Sequence, residues 1–341
     1  MMTPTAKSTI LLMVLFSMSS TLLLQSKLES HTRIVVPTSP IYESSRGDKI
    51  MNFMVHSHSP HKFVDAFVQC AFHSPKCRIH YHHVQKTGGS RLASRLYPVL
   101  SNPPGKSYQS KQWCCEDDMM ARFHANVSHY CRENKFGIYE VAAPKFSSVV
   151  QSCLNYPNAS DQMNSKNVNV HEPSEIVVLM TIREPIQLTL SQIHHQCNKN
   201  YNQKTKQEKQ MCRTCSYKGH PDYFLSYVHQ TNLVYQEIAS EIPKMLKMFE
   251  GARRVNETVS GRHKIMILDQ ADINRFFESL AISSPNGTVI PEGRGNEELV
   301  HKCYFGMTSH MMKALAPALE VYRKLTSGIV FSVDNAVQSG S

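Results

Sequence analysis

The sequence predicts an α/β fold, in which a parallel β-sheet is flanked by helices. Three observations favour this fold. A strand pattern, a glycine turn and a helix pattern follow one another over 78–100. A second, buried strand pattern at 175–182 runs directly into a helix pattern, and such patterns alternate onward to residue 325. Alternation of this kind builds parallel sheets, whose ligands bind at the carboxyl ends of the strands.

The first strand pattern, 78–82, alternates polar and apolar residues and leads into the run H-V-Q-K-T-G-G-S at 83–90. A helix pattern over 91–100 follows it. Two adjacent glycines, Gly88 and Gly89, let the backbone approach an anion closely, and the start of a helix aims free amide groups at that anion. We therefore predict an anion-binding loop between this strand and this helix.

Three side chains would complete the anion site, because Lys86 supplies a positive charge and Thr87 and Ser90 supply hydroxyls. The expected ligand is a phosphate or sulfate ester. In the nucleotide-kinase loop the lysine follows the glycines, whereas here it precedes them, so this loop is of a different kind. The alternative interpretation is a plain glycine turn beside a solvated lysine.

The second strand pattern, 175–182, is followed by Arg183-Glu184-Pro185 and a helix pattern. Pro185 suits the first turn of a helix. An arginine can hold a phosphate by a two-pronged contact, and Ser191 lies about two turns along the helix that Pro185 begins. The alternative role for Arg183 is a structural ion pair.

Together the two segments resemble the two cofactor-binding elements of Golgi carbohydrate sulfotransferases. Those elements read H/V-x-Q-K-T-G-G-S/T, and R-D/E-P with a serine eight residues after the arginine. The first is most similar to the heparan sulfate 6-O-sulfotransferase branch, and the resemblance spans about 79–197. It implies a P-loop-like sulfotransferase fold that uses 3′-phosphoadenosine 5′-phosphosulfate (PAPS) as sulfate donor and requires no metal.

The resemblance also implies a role for each motif residue. The 5′-phosphosulfate end of PAPS would be bound by Lys86, Thr87, Gly88, Gly89 and Ser90. The 3′-phosphate would be bound by Arg183 and Ser191. The family usually has another arginine five residues after the first, and this chain has Leu188 there.

Sulfuryl transfer to a hydroxyl needs a base for the hydroxyl proton and a positive charge near the leaving oxygen. Lys86 meets the second need. The segment 122–126 is similar to the family's H-A-D segment, whose histidine is the proposed base, so we expect His124 to be catalytic. Asn126 replaces the aspartate and also begins a glycosylation sequon. Other histidines able to titrate near neutral pH are His83, His129, His194 and His195.

The composition of the amino-terminal region predicts a membrane anchor. Residues 8–26 are 19 uncharged, largely apolar residues between Lys7 and Lys27, about the length that spans a bilayer. The alternative is a signal peptide cleaved near the small residues at 17–20. With 1–7 as a cytoplasmic tail, we expect a single-pass type II protein of the Golgi membrane, with its catalytic domain in the lumen.

Two further patterns agree with a lumenal location. Sequons begin at Asn126, Asn158, Asn256 and Asn286. The chain also has ten cysteines, which in a secretory protein predict disulfides of undetermined pairing. The alternative is a zinc site formed by Cys212 and Cys215 with Cys197 and the histidines at 194–195.

The domain organisation follows from composition. We expect a polar stem at 27–76, a sulfotransferase domain at 77–325 and a carboxyl-terminal tail at 326–341. Further predicted strands are 136–141 and 264–268, and further predicted helices are 223–250, 271–280 and 307–324. We expect Pro243 and Pro317 to kink or split the first and last of these helices.

The net charge of +10 favours a polyanionic partner. The lysine-rich segment 198–218 is predicted to be a loop, either solvated or holding an acidic polysaccharide, and 293–296 is a basic turn that would close over the nucleotide. Because a lumenal chain rarely meets nucleic acid, a glycan is the expected partner, with the membrane contacted only through the anchor.

The leading hypothesis is therefore transfer of sulfate from PAPS to a sugar hydroxyl, on a glycosaminoglycan such as heparan sulfate. A protein-tyrosine sulfotransferase is the second enzyme hypothesis. The third is a glycan-binding protein of the same fold without turnover, for which Leu188 and Asn126 are the motivation.

Overall fold

The structure is a computed structural model. It describes residues 60–101, 116–155, 175–199, 201–214, 221–255, 263–283, 309–325 and 330–332. The predicted tail and anchor, 1–26, lie outside these ranges. Within the ranges, no helix is both long and apolar enough to cross a membrane.

A five-stranded sheet forms the centre of the described part. Its strands are β1 (Arg78–His82), β2 (Phe136–Tyr139), β3 (Ile176–Ile182), β4 (Lys264–Asp269) and β5 (Val330–Ser332). Their order across the sheet is β2-β1-β3-β4-β5, with the first four parallel and β5 antiparallel to β4. The prediction of an α/β fold is confirmed, and the predicted parallel sheet is found with one antiparallel strand at its edge.

Helices flank the sheet, as predicted. In chain order they are α1 (Pro60–Val68), α2 (Gly89–Leu100), α3 (Glu116–Ala125), α4 (Ala143–Asn155), α5 (Pro185–Asn198), α6 (Lys206–Thr214), α7 (Pro221–Val255), α8 (Ile273–Ser283), α9 (Ser309–Ala314) and α10 (Ala316–Leu325). Short π-helical turns at Gln69–His73 and His129–Glu133 and 3₁₀ turns at Tyr201–Gln203 and Gln270–Asp272 complete the described elements.

Each face of the sheet is covered by its own apolar core. Every residue of β3 is buried, and alternate residues face opposite cores, with Val177 in one and Val178 in the other. The first core joins the sheet to α1, α2 and α8, and the second joins it to α4, α7 and α10. A strand buried on both faces requires a continuous apolar run, which explains the sequence I-V-V-L-M-T-I.

The domain begins earlier than the sequence indicates. Phe63 and Phe67 of α1 are buried, and both pack edge-on against Phe276 of α8. A disulfide then joins Cys70 to Cys77 just before β1. Residues 60–76, which were assigned to the stem, therefore belong to the folded domain. The apolar period is hard to detect because a His- and Ser-rich stretch precedes this short helix.

The carboxyl-terminal end shows one agreement and one difference. The helix predicted at 307–324 is split near Pro317, as expected, since α9 ends at Ala314 and α10 begins at Ala316. The range assigned to the tail contains β5, a strand too short to produce a recognisable pattern. Helix α7 runs without interruption through Pro243, so this proline does not split the helix.

The lysine-rich segment predicted as a loop contains α6. The disulfide between Cys197 and Cys212 ties α6 to the end of α5, and Met211 packs in a small core with Ile193 and Phe224. Because a disulfide sulfur is not a thiolate, this pairing removes two of the three cysteines from the zinc alternative. Another disulfide joins Cys131 to Cys153. The cysteines at 114, 115, 215 and 303 lie outside the described ranges.

Candidate functional site

The two glycines of the β1–α2 loop are required by their surroundings. Gly88 caps α2 with a φ of +83°, in the left-handed region that glycine adopts without strain. A Cβ on Gly89 would lie 1.6 Å from Cδ2 of His83, so only glycine leaves room for that ring. The first amide groups of α2 therefore start directly beside the His83 side chain.

The Thr87 side chain holds the loop in shape. Thr87 is buried, and its hydroxyl donates to the Val84 carbonyl at 2.7 Å. The hydroxyl oxygen also lies 2.6 Å from that of Thr181 at the end of β3, which in turn bonds to the Tyr81 hydroxyl at 2.8 Å. The structure thus uses the Thr87 hydroxyl inside the protein, which leaves the charge of Lys86 and the exposed Ser90 hydroxyl at the loop surface.

Lys86 sits at the centre of several charged groups. It is half-buried and has a φ of +66°. Burial lowers the pKa of its ammonium group, and the carboxylate of Glu140 opposes this effect, while nearby Lys199 adds to it. Lys86 also contributes to a lowered pKa of His195, after the larger effect of burial. Groups from two separate segments, the loop after β2 and the end of α5, therefore lie within electrostatic reach of Lys86.

Arg183 joins the second motif to the first. It directly follows β3, and its Nη1 donates a hydrogen bond to the Lys86 carbonyl at 3.1 Å. Its main chain is fixed by Tyr235 of α7, whose hydroxyl accepts from the Arg183 N–H at 3.2 Å and donates to the Arg183 carbonyl. The two predicted anion-binding elements therefore meet at the carboxyl ends of β1 and β3, which are paired strands.

The helix after Arg183 starts as predicted. Pro185 is the first residue of α5, and the Glu184 side chain caps the helix by accepting from the Gln187 N–H at 2.8 Å. Ser191 is half-buried about two turns along α5.

Leu188, which stands where the resembling family has arginine, is fully buried. It packs against Tyr235 and Ala318, with Tyr322 beside them. This position is therefore part of the core here, and an arginine side chain would have to enter an apolar cluster.

Asp269 ends β4 at the same edge of the sheet. Its carboxylate accepts from the Ala271 N–H at 2.8 Å and from the Tyr322 hydroxyl at 2.6 Å. Burial raises its pKa, and these two hydrogen bonds oppose the effect. Because both oxygens are engaged within the protein, Asp269 serves to hold the loop after β4 near Gly88.

Glu140 and His83 form a pair at the edge of the sheet. His83 follows β1 and Glu140 follows β2, and these strands are parallel neighbours that align His82 with Tyr139. The pairing continues as a hydrogen bond from the His83 N–H to the Tyr139 carbonyl at 2.8 Å. Nδ1 of His83 lies 3.5 Å from Oε2 of Glu140. Burial lowers the pKa of the His83 ring, and Glu140 opposes the shift.

A cavity of about 500 Å³ opens beside this pair. Its lining includes Gln85 and Glu140 from the loops after β1 and β2, Gln192 from α5, and Glu237 from α7. The volume falls within the range of about 300–1,000 Å³ that is usual for ligand sites. The first residues of the predicted anion-binding loop, Val84 and Gln85, therefore border a ligand-sized space together with the Glu140 carboxylate.

His124 is placed elsewhere. It lies in the last turn of α3, where its side chain is exposed, and it lines a second cavity together with Asn126, His129 and Glu133. The two cavities share no residue among those described as lining them. Of the residues predicted from the sequence, the structure brings together Lys86, Gly88, Gly89 and Arg183, and it does not bring His124 to them.

Glu140 is the residue that the sequence reasoning missed. The available signal was its position near the carboxyl end of the predicted strand 136–141, the end at which parallel sheets bind ligands. What the sequence did not provide is the strand order, which makes β2 the neighbour of β1.

Comparison of the chain with protein-family models, with curated proteins and with solved structures gave no match. The arguments for function therefore come from the residues and their geometry. The site combines a helix start, a lysine and an arginine for an anion with a carboxylate able to accept a proton, as a group transfer from an anionic donor to a hydroxyl requires.

Proposed function

We propose that the chain is a sulfotransferase that moves a sulfuryl group from PAPS to a hydroxyl of a glycan. The hydrogen bond between Arg183 and Lys86 is the observation that carries this proposal. It joins two motifs that are 97 residues apart at the ligand-binding end of the sheet. The same end holds Glu140, one strand further along.

The loop residues would hold the donor. Lys86, Ser90 and the first amides of α2, after Gly88, suit the 5′-phosphosulfate end. Arg183, with Ser191 on α5, suits the 3′-phosphate, because guanidinium groups bind phosphate oxygens in pairs. Thr87 supports this arrangement by holding the loop.

PAPS supplies the sulfuryl group and a phosphate leaving group. We assign the base role to Glu140 in place of His124, because the Glu140 carboxylate lies within electrostatic reach of Lys86, whereas His124 lines a separate cavity. As the acceptor oxygen bonds to sulfur, its proton passes to the Glu140 carboxylate. The bond from sulfur to the phosphate oxygen breaks, and the Lys86 ammonium group stabilises the charge on that oxygen.

The proposed location is the Golgi lumen, with 8–26 as a type II signal anchor. The three disulfides within the described ranges support an oxidising compartment, because such bonds are rare in the reducing cytosol.

Calorimetric binding of 3′-phosphoadenosine 5′-phosphate, the product form of the donor, tests the donor site without requiring turnover. We expect the wild-type chain to bind it and Lys86→Ala to bind at least about tenfold more weakly, since a charge-assisted contact is lost. Lys62→Ala, which removes an exposed lysine of α1, is the matched control and should bind like wild type. A folded wild-type chain without binding would contradict the proposal.

A further inference from the structure

We infer that the sugar accepted by this site is uncharged, and that acidic polysaccharides are rejected as acceptors. The inference rests on the proposed function and concerns the cavity beside the donor loop. It departs from the expectation, drawn from net charge, that the acceptor is an acidic polysaccharide.

The charges of the cavity lining carry this inference. Glu140 and Glu237 both line the cavity, and among the described lining residues none is lysine or arginine. The lining histidines do not offset the carboxylates, because burial lowers the pKa of His82 to about 4 and also lowers that of His83. At neutral pH both rings are therefore uncharged, and the lining bears net negative charge. A uronic acid or sulfated sugar would meet like charges at short range, which disfavours its binding.

The remaining lining suits a neutral sugar. One face of α7 contributes Gln230, Leu233, Val234, Glu237 and Ile238, at the spacing that places residues on one side of a helix. The amides of Gln85, Gln192 and Gln230 can donate to and accept from hydroxyl groups, and the carboxylates accept from them. Leu233 is 46% exposed, and with half-buried Val234 it offers the aliphatic surface that the apolar side of a sugar ring can cover.

The net charge of +10 does not contradict this inference, because it describes the whole chain. Of the described lysines in the segment 198–218, Lys199 and Lys206 are exposed and neither lines the cavity. Such surface charges attract polyanions in a salt-dependent way, whereas acceptor choice depends on the groups that surround the reacting hydroxyl.

A matched pair of acceptors tests the inference: N-acetylheparosan, which carries a carboxylate in each disaccharide, and the same polymer with its carboxyls reduced to alcohols. With PAPS and the full-length chain at 0.15 M salt, we expect kcat/KM for the reduced polymer to be at least about tenfold higher, as one unfavourable charge contact implies. Glu237→Gln should lower the preference for the reduced polymer, measured as the ratio of the two kcat/KM values, by at least about threefold, because one of the like charges is removed. Gln230→Ala, on the same face of α7, should weaken both acceptors alike.

Binding of the two polymers, measured by saturation-transfer NMR, separates failure of the inference from failure of the proposed function. Preference for the reduced polymer in binding, without any sulfate transfer, would contradict the proposed function and support the inference. Sulfate transfer with equal or better kcat/KM for the acidic polymer would overturn the inference and leave the proposed function standing. Unchanged discrimination in Glu237→Gln would also overturn it.

Discussion

Nη1 of Arg183 donates a hydrogen bond to the main-chain carbonyl of Lys86 at 3.1 Å. Lys86 has a positive φ, so the arginine holds a backbone conformation that is uncommon outside glycine. The same guanidinium is the charge assigned to the 3′-phosphate. Arg183 therefore links the shape of the first anion-binding element to the charge of the second.

Replacement of Arg183 should lower the affinity for the donor product more than removal of a positive charge elsewhere on the surface does. We expect Arg183→Ala to lower affinity for 3′-phosphoadenosine 5′-phosphate by about 10- to 100-fold, the range for a hydrogen bond to a charged group. Arg275→Ala, which removes an exposed arginine paired with Asp272, is the control and should leave affinity unchanged. Calorimetric titration measures both, and equal affinities for the two variants would contradict the role of Arg183.

Gly89→Ala should destabilise the fold. The new Cβ would overlap the ring of His83, and overpacking of this kind costs about 1–3 kcal/mol. Gly251→Ala is the control, because no atom other than its chain neighbours and the nearby backbone of its own helix lies within 4 Å of its Cβ position, and alanine favours helix α7 by up to about 1 kcal/mol. Urea unfolding at neutral pH compares the two variants. A Gly89→Ala protein as stable as wild type would show that the ring does not fill this space.

Leu188→Arg, which introduces the arginine expected from the resemblance, should unfold or strongly destabilise this protein. The position is buried among apolar groups, and an uncompensated buried charge costs about 3 kcal/mol or more. Leu188→Met preserves volume and should cost less than about 1.5 kcal/mol. Thermal unfolding monitored by circular dichroism distinguishes them. Tighter binding of the donor product by a stable Leu188→Arg protein would contradict the assignment of Leu188 to the core.

Stability should fall in mild acid because of buried histidines. Nδ1 of His263 accepts a hydrogen bond from the Ile176 N–H at 3.1 Å, and burial lowers the pKa of this ring to about 4. Since the pKa is lower in the folded state than in the unfolded chain, the stabilising contribution is full above about pH 6.5 and is lost as pH falls towards 4. His80 and His82 add to this effect, because burial lowers their pKa values to about 4 as well.

His263→Asn keeps an acceptor for the Ile176 N–H and removes the titration. Between pH 7 and pH 5, the free energy of unfolding of the variant, measured with urea, should fall by about 1–3 kcal/mol less than that of wild type. His124→Asn removes an exposed histidine and should keep the wild-type pH dependence. Identical pH dependence in wild type and His263→Asn would be inconsistent with the proposed cause.

The α/β architecture could be predicted from the sequence because β1 alternates polar and apolar residues, β3 is an apolar run, and the loops after both strands carry glycine or proline. Pro185 at the start of α5 and the glycine-capped start of α2 are local features, which can be recognised in the sequence without knowledge of the strand order. The predicted base was not brought to the site, because which residues meet there depends on strand order. Glu140 comes next to His83 only because β2 pairs with β1, and no local pattern encodes that pairing.

Sulfate transfer from labelled PAPS tests the central claim most directly, with neutral glycans, glycosaminoglycans and tyrosine peptides as acceptors. The account predicts transfer to a glycan by the wild-type chain. It predicts a loss of at least about 100-fold in kcat for Glu140→Gln and Lys86→Ala, within the usual range for acid–base groups, and little change for His124→Ala. No transfer to any glycan by a folded chain that binds the donor product, or transfer to tyrosine peptides alone, would contradict it.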